Sequence, residues 1–418
     1  MIFSNIIRSI RISFVDLRYI YMIKTGIGRS NNPEAAIAGA QACKEALAEA
    51  GDKANLIVVF STVAYDQGKM LKGVRSISKE IPLVGCSDFG EITTEGPVSK
   101  HVAVMALSSD TIDFTIGVGE GTDKDSHKAG AMAAKEVKKK AEGDISLFVM
   151  LLDGLAENGA AAVRGAQEVF GKNFPIMGGS AGDDFLFKKT YQYYNDQVLT
   201  NAMVGIGLSG KFSFGVGVRH GWEPIGLPMK ATKSKGGKLI EVNNRPALSI
   251  YEDYFGKKSE ELIKEPIARM AYTYPLGVSV EGSPEFLIRD VVIANEKGEI
   301  TCAAEIPEGS EIRLMLGDPE KAIHAAKEAA ENALAQLKGS KPKAIFVFNC
   351  VARHKLLGAR IGEEIAAIQN VLGKEVPLIG FYTYGEQAPL GGVLGPECFS
   401  VFHNETMALL VLGEQEKD

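Results

Sequence analysis

The chain has 418 residues, of which 45% are hydrophobic and 23% charged, with a net charge of −6. That length exceeds one ordinary domain, and that balance supports packed cores and argues against general disorder. A pI near 5.7 argues against a nucleic-acid protein, which would carry a basic face. The five cysteines, Cys43, Cys86, Cys302, Cys350 and Cys398, are far apart and form no C-x-x-C pair, which disfavours a disulfide framework and a structural zinc site and fits a reducing, cytoplasmic interior.

Residues 1–21 are apolar but broken by Arg8, Arg11, Asp16 and Arg18, so no uncharged run is long enough to span a bilayer. They read as an extension ahead of a fold that starts near Met22, with a basic amphipathic helix on a membrane surface as the second reading. A short strand over 23–28 follows. Asn32-Pro33 then supplies an N-cap and a first-turn proline for an alanine-rich helix over 34–50. The run NLIVVFS (55–61) is apolar enough for a strand covered on both faces. A helix over 66–79 and the string IPLVGCSDFGE (81–91) come next. The runs 101–107 and 111–118 read as a hairpin turning at Ser108–Asp110.

The same order then returns. DISLFVMLL (144–152) is a strand, 159–171 a helix, and FPIMGGSAGDD (174–184) matches IPLVGCSDFGE in place and pattern, with 202–209 and 211–218 as the second hairpin. A third copy occupies 344–403: AIFVFN (344–349), a helix over 354–372, and VPLIGFYTYGE (376–386), followed by a strand SVFHNETMALLVL over 400–412. Pro82, Pro175 and Pro377 start equivalent strands, and Gly85, Gly178 and Gly380 stand three residues later, where they relieve crowding or permit a bend. Three equivalent strand ends are therefore expected, with one or two kept as a site. Between copies two and three, GWEPIGLP (221–228) holds the one tryptophan and looks like a boundary. The span 276–316 is strand-rich, and Asp318-Pro319 caps a long amphipathic helix over 320–337. The fold class read from this order is α/β, with mixed sheets built from repeated βαβ-plus-hairpin units in two domains. The expected boundaries are an extension at 1–21, a duplicated domain at 22–220, a second domain at 221–412 and a tail at 413–418.

In the third copy the two apolar strands flank a helix and so run parallel, which brings their C-terminal ends to one sheet edge, the usual ligand edge of open α/β sheets. That edge would carry Asn349, Cys350, Arg353, Tyr382, Tyr384 and Glu386, with His403 at the end of the next apolar run. Arg353 and Glu386 are the sharpest pair: a planar guanidinium suits the carboxylate of a zwitterion, and a carboxylate suits its ammonium. Tyr382 and Tyr384 would share one face of a regular strand. Two nucleophile readings compete. Ser180 lies in Gly178-Gly-Ser-Ala-Gly182, which fits G-x-S-x-G but has no helix pattern after it; Cys350 could use His354 or His403 as a base. Gly117-Val-Gly119 and Gly215-Val-Gly217 open no helix, so they are not phosphate loops. Lys135–Lys140 is a charge run complementing a helix end. No metal set and no cofactor site is expected.

The strings FNCVAR, GFYTYGE and FHNET, in this order, resemble the FIST sensory proteins, specifically a FIST C domain with a FIST N domain before it, over about Met22 to Leu410. The resemblance implies sensing of a small ligand, with amino acids as the implied class, feeding signal transduction rather than catalysis. With no length left for an output segment, signalling is expected through a separate protein. The expectation is thus a non-enzymatic cytoplasmic sensor of a small polar ligand, with no nucleic-acid partner and no integral membrane segment. The alternative is a serine or cysteine hydrolase using Ser180 or Cys350.

Overall fold

The computed structural model describes residues 23–51, 53–257, 259–264 and 267–414; the expected extension at 1–21 and the end of the tail lie outside the described residues. Three units of one design account for most of the chain. In unit 1 the first strand is Ile23–Ser30, the second Leu56–Thr62, the third Leu83–Asp88 and the fourth Val102–Ser109, with helices Ala35–Ala50 and Gln67–Ser78 between the early strands. Unit 2 repeats this with Ile112–Glu120, Ile145–Leu152, Ile176–Ser180 and Ala202–Gly210, and unit 3 with Ser213–Arg219, Lys341–Cys350, Leu378–Thr383 and Met407–Glu414. In every unit the sheet order is first, fourth, second, third, and the second and third strands are parallel. The fold is α/β with mixed sheets, as read from the sequence.

Two pairings differ from the sequence reading. Strands Val102–Ser109 and Ile112–Glu120 are sequence neighbours but not a hairpin. The former closes the sheet of unit 1, and the latter opens that of unit 2 by pairing with Ala202–Gly210. Likewise Ala202–Gly210 and Ser213–Arg219 lie in different sheets, the second pairing with Met407–Glu414. Apolar alternation cannot tell a tight hairpin from a step between sheets, because both bury the same faces. The run 400–412 is also two strands, Ser400–His403 and Met407–Glu414, placed in different sheets.

A real hairpin follows each third strand, and it is donated to a neighbouring unit. That of unit 1 (Glu91–Thr93, Gly96–Val98) pairs with the third strand of unit 3. That of unit 2 (Gln192–Tyr194, Gln197–Leu199) pairs with the third strand of unit 1, and that of unit 3 (Glu386–Pro389, Ser400–His403) with the third strand of unit 2. The exchange is cyclic, so the three sheets face one shared core, to which unit 1 contributes Phe60, unit 2 Val149, and unit 3 Phe348 and Phe381.

Local sequence explains this close fit. Gly28, Gly119 and Gly217, one on each first strand, lie under alanines of the first helix of their unit. An added Cβ would stand 2.0, 1.9 and 1.8 Å from the carbonyl oxygens of Ala42, Ala129 and Ala329. The glycine pairs are thus for helix contact, not phosphate. Asp66, Asp125, Asn158 and Asp318 each cap a helix, whereas the first helix starts at Ala35, later than Asn32-Pro33, because Asn32 spends its side chain on the Glu34 N–H. The lysine run ends its helix at Lys140, as expected of cations at a C-terminus.

Unit 3 is interrupted between Ser213–Arg219 and its first helix, Pro319–Gln336. The span between them forms a separate antiparallel sheet, including Trp222–Lys235, Phe286–Arg289 and Val291–Ala294, with its own apolar core. This inserted sheet abuts the strand ends of unit 3.

Candidate functional site

The two strand tips lie side by side and parallel, with Asn349 opposite Tyr382 and Cys350 opposite Thr383. The pleat then sends alternate residues to opposite faces. Asn349 and Tyr382 point to the helix side, and Cys350 and Thr383 to the side where Glu386 lies. The expected residues are therefore split across one sheet edge.

On the helix side Arg353 is fully buried and heavily engaged. Its Nε and Nη2 donate to Glu364 Oε2 at 3.2 and 3.0 Å, Nη1 to the His220 carbonyl at 2.5 Å, and Nη2 also to the Ala322 carbonyl at 2.7 Å. Asn349 Nδ2 donates to the other Glu364 oxygen at 2.5 Å. Burial raises the Glu364 carboxyl although Arg353 opposes that rise. Tyr382 sets its ring edge against His354, 4.7 Å between centroids, and its buried hydroxyl has no partner. This network ties the Ile361–Leu372 helix, the Pro319–Gln336 helix and the entry to the inserted sheet into one knot.

On the other side Glu386 is fully buried. It accepts from the Thr383 hydroxyl and from Thr406 N at 3.1 Å; burial pushes its carboxyl up to about 8, and those two bonds, then the adjoining Cys350 thiol and Arg353, temper that rise. Glu405 stands next to it, also fully buried, in a left-handed turn with φ +58°, and neither carboxyl oxygen has a partner. Burial first, then Asp290 and Glu386, drive Glu405 well above the usual range. Asp290, from the inserted sheet, is pushed up to about 7 by burial. Three carboxyl groups from three chain segments thus meet at a seam. Arg289 beside them is spent on carbonyls, those of Glu305 at 2.8 Å and Phe402 at 3.3 Å among them. His403 faces Glu386 across its hairpin, and its Nε2 meets the Ala388 carbonyl at 3.1 Å. Burial pulls His403 down to about 3, so it is neutral.

Tyr384 joins neither of these hydrogen-bond networks. Its hydroxyl donates to Asp183 Oδ1 and receives the Phe185 N–H, both at 2.8 Å, joining unit 3 to the loop after the third strand of unit 2. Tyr382 and Tyr384 do share the helix-side cluster, as a regular strand requires. Glu405 was not a sequence candidate. Its signal was present in FHNET: a carboxyl and an amide inside an otherwise apolar run, which the structure reveals as the break between two strands.

Neither nucleophile is activated. Ser180 is buried, accepts from Gln387 Nε2 at 2.9 Å, and is followed by a loop rather than a helix. Burial, Glu386 and Glu405 push the Cys350 thiol well above its usual value. Two surface clefts, of about 750 and 640 Å³, are lined by other residues; the larger reaches His220 and Trp222 on the outer side of the Arg353 knot. Among the described residues no cluster of His, Cys, Asp and Glu is arranged to hold a metal ion, and no helix is long and apolar enough to cross a membrane.

Comparison with known families matches residues 55–245 to the FIST N domain and residues 247–389 to the FIST C domain. The chain belongs to the FIST family. FIST domains are associated with sensory signal transduction. Relatives of this FIST protein include an uncharacterized protein of Methanocaldococcus jannaschii, 24% identical over 79% of this chain and 69% of its own length. Another is an uncharacterized protein of Mycobacterium tuberculosis, 26% identical over 88% of this chain and 96% of its own length. Among solved structures, a cyanuric acid hydrolase from A. caulinodans aligns over 94% of this chain and all of its own, at 11% identity and a TM-score of 0.37, which is too distant to inform the chemistry.

Proposed function

We propose that this FIST protein is a non-enzymatic, cytoplasmic sensor that binds a small polar ligand, with amino acids as the first class to test, and signals through a separate partner. The proposed site is the seam where Glu386, Glu405 and Asp290 meet, with Cys350 and His403 beside it and Asn349, Arg353 and Tyr382 behind it. Tyr384 would carry the signal outward, because it directly precedes Gly385-Glu386 and bonds to Asp183 of the surface loop.

One observation carries this reading: the two oxygens of Glu405 are buried without a partner, beside two further buried carboxyl groups. An unpaired buried carboxylate costs several kcal/mol, so at rest the group holds a proton. A ligand ammonium would replace that proton and supply the missing N–H donors. Arg353 is a supporting wall rather than a free receptor, since its fork already holds Glu364. Clusters of shifted groups where two parts of a fold meet are favoured binding places.

A calorimetric screen of amino acids tests this. A binder is expected whose affinity falls about tenfold in Glu405→Gln, the loss of one charged hydrogen bond. A screen with no binder, or affinity untouched by both Glu405→Gln and Glu386→Gln, would remove the site. The hydrolase alternative predicts labelling of Ser180 by a fluorophosphonate or of Cys350 by iodoacetamide; their burial argues against both.

A further inference from the structure

The internal repeat places a second set of acids where unit 3 has Glu386. The hairpins of the three units oppose equivalent positions: Glu91 faces Phe381, Gln192 faces Cys86 and Glu386 faces Gly179. Glu91 also copies the bonding of Glu386. Its Oε1 accepts from His101 N at 3.2 Å and Thr62 N at 3.0 Å, and His101 corresponds to Thr406, each lying just before the fourth strand of its unit.

The two places differ at one neighbour. In unit 3, Thr383 ends the third strand and donates its hydroxyl to Glu386. In unit 1 that position is Asp88, fully buried, with no side-chain donor at either carboxyl oxygen and only the Gly90 backbone N–H near it. Asp88 faces Glu91, whose Oε2 is also unpartnered, and Asp184 from the loop of unit 2. Asp184 is held by the Thr62 hydroxyl at 2.8 Å and is only half-buried, so the group meets solvent there. Among the described residues no lysine, arginine or histidine forms an ion pair with Asp88 or Glu91; Lys100 acts on Asp184. Where unit 3 supplies its own donor, unit 1 supplies a second acceptor.

We infer that the third-strand end of unit 1 is a second ligand site, in which Asp88, Glu91 and Asp184 receive the ammonium group of a small organic amine. The amine enters beside Asp184 and supplies the N–H donors that no side chain gives Asp88. No metal-binding arrangement exists among the described residues, so a donor cation suits the acids better than a metal ion. The site does not depend on the unit 3 seam being the sensor site.

The test is calorimetry on the full chain at pH 8 with methylammonium and with putrescine. Binding of one or both is expected, weakened about tenfold by Asp88→Asn, as for loss of one charge-assisted bond, and unchanged by Glu296→Gln, an exposed carboxyl of the inserted sheet. Should Asp88→Asn fail to fold, Asp184→Asn removes a half-exposed carboxyl at little risk and should weaken binding by roughly threefold, in line with a screened charge. No binding of either amine at millimolar concentration means the acids hold only protons, and overturns the proposal. So does binding that survives both aspartate variants, binding lost in Glu296→Gln, or uptake of calcium in place of the amines.

Discussion

Glu91 and Glu386 occupy the same place in two units of one chain, each opening a donated hairpin and each accepting the N–H just ahead of its unit's fourth strand. Burial pushes both up to about 8. A carboxyl raised in the folded state binds its proton more tightly there than in the unfolded chain. Its stabilising share is fully present below the unfolded value near 4.5 and is lost as pH rises through about 8. Melting temperature should therefore fall steadily between those two pH values. Glu386→Gln should flatten part of that slope, because its oxygen can keep the Thr406 bond while its amide donates to a rotated Thr383 hydroxyl. At pH above 8 it should gain about 1–3 kcal/mol by removing a buried charge. A melting series on both proteins decides this; parallel slopes would refute it.

Arg353 should matter first to stability. Its removal strands Glu364, a fully buried carboxyl, and two carbonyls. Breaking one partner of such a pair costs about 3–5 kcal/mol. Arg353→Lys should recover little of this, since an ammonium cannot reproduce the fork. Urea denaturation of both variants gives the numbers, and near-native stability of Arg353→Ala would show that the pair is dispensable.

The repeated glycines test the frame itself. A Cβ at Gly85, Gly178 or Gly380 would lie 2.0, 1.9 or 2.2 Å from the carbonyl oxygen of Val59, Met150 or Val347 on the parallel neighbour. Backbone cannot yield as a side-chain tip can. Gly380→Ala should cost at least about 1–3 kcal/mol, the range for overpacked cores. Gly362→Ala, where nothing lies within 4 Å, is the control and should be neutral or better. Chemical denaturation of the pair separates crowding from a general helix or strand effect.

The repeat was legible because its marks are local: a proline that need not donate and a glycine that admits a neighbour's carbonyl. Strand pairing was not, since the 102–109 and 112–120 strands have the pattern of a hairpin whichever sheets they join. The parallel tips at Asn349 and Tyr382 followed from the strand–helix–strand order. The partner of Arg353 did not. On an unbroken helix Glu364 would lie about 16 Å along the axis from Arg353. The break at Gly358–Arg360, with Gly358 at φ +54°, folds the second helix back and brings the two together. Glu405 was hidden for the reverse reason, a turn inside what reads as a continuous strand.

Thiol chemistry should be silent in the folded protein. All five cysteines are buried; burial raises Cys43 and Cys302 to about 12 and pushes Cys350 well above its usual value. A reactive cysteine needs a lowered value and access. A disulfide-exchange reagent should titrate none quickly in the native state and all five in denaturant. Fast native labelling at Cys350 would revive a nucleophilic role.

Asp183 should control the loop that Tyr384 touches. Its carboxylate accepts the Phe187 N–H at 2.9 Å and those of Lys188 and Lys189 at 2.6 and 2.9 Å, besides the Tyr384 hydroxyl. Those bonds hold Asp184, Phe185 and Phe187 at positive φ, which costs of order 1 kcal/mol or more for each non-glycine residue. Without the Asp183 carboxylate only the Thr62 bond to Asp184 and the Tyr384 bond to Phe185 among these hydrogen bonds still oppose that strain, and the exposed Lys188 and Lys189 become trypsin sites. Asp183→Ala should be nicked there at least about tenfold faster than the parent, the opening equilibrium gaining roughly one hydrogen bond's worth of freedom. Tyr384→Phe, which removes one of the four contacts, should fall between the two. Limited proteolysis with mass readout orders the three proteins, and equal cleavage in all of them would show that the loop is held by something else.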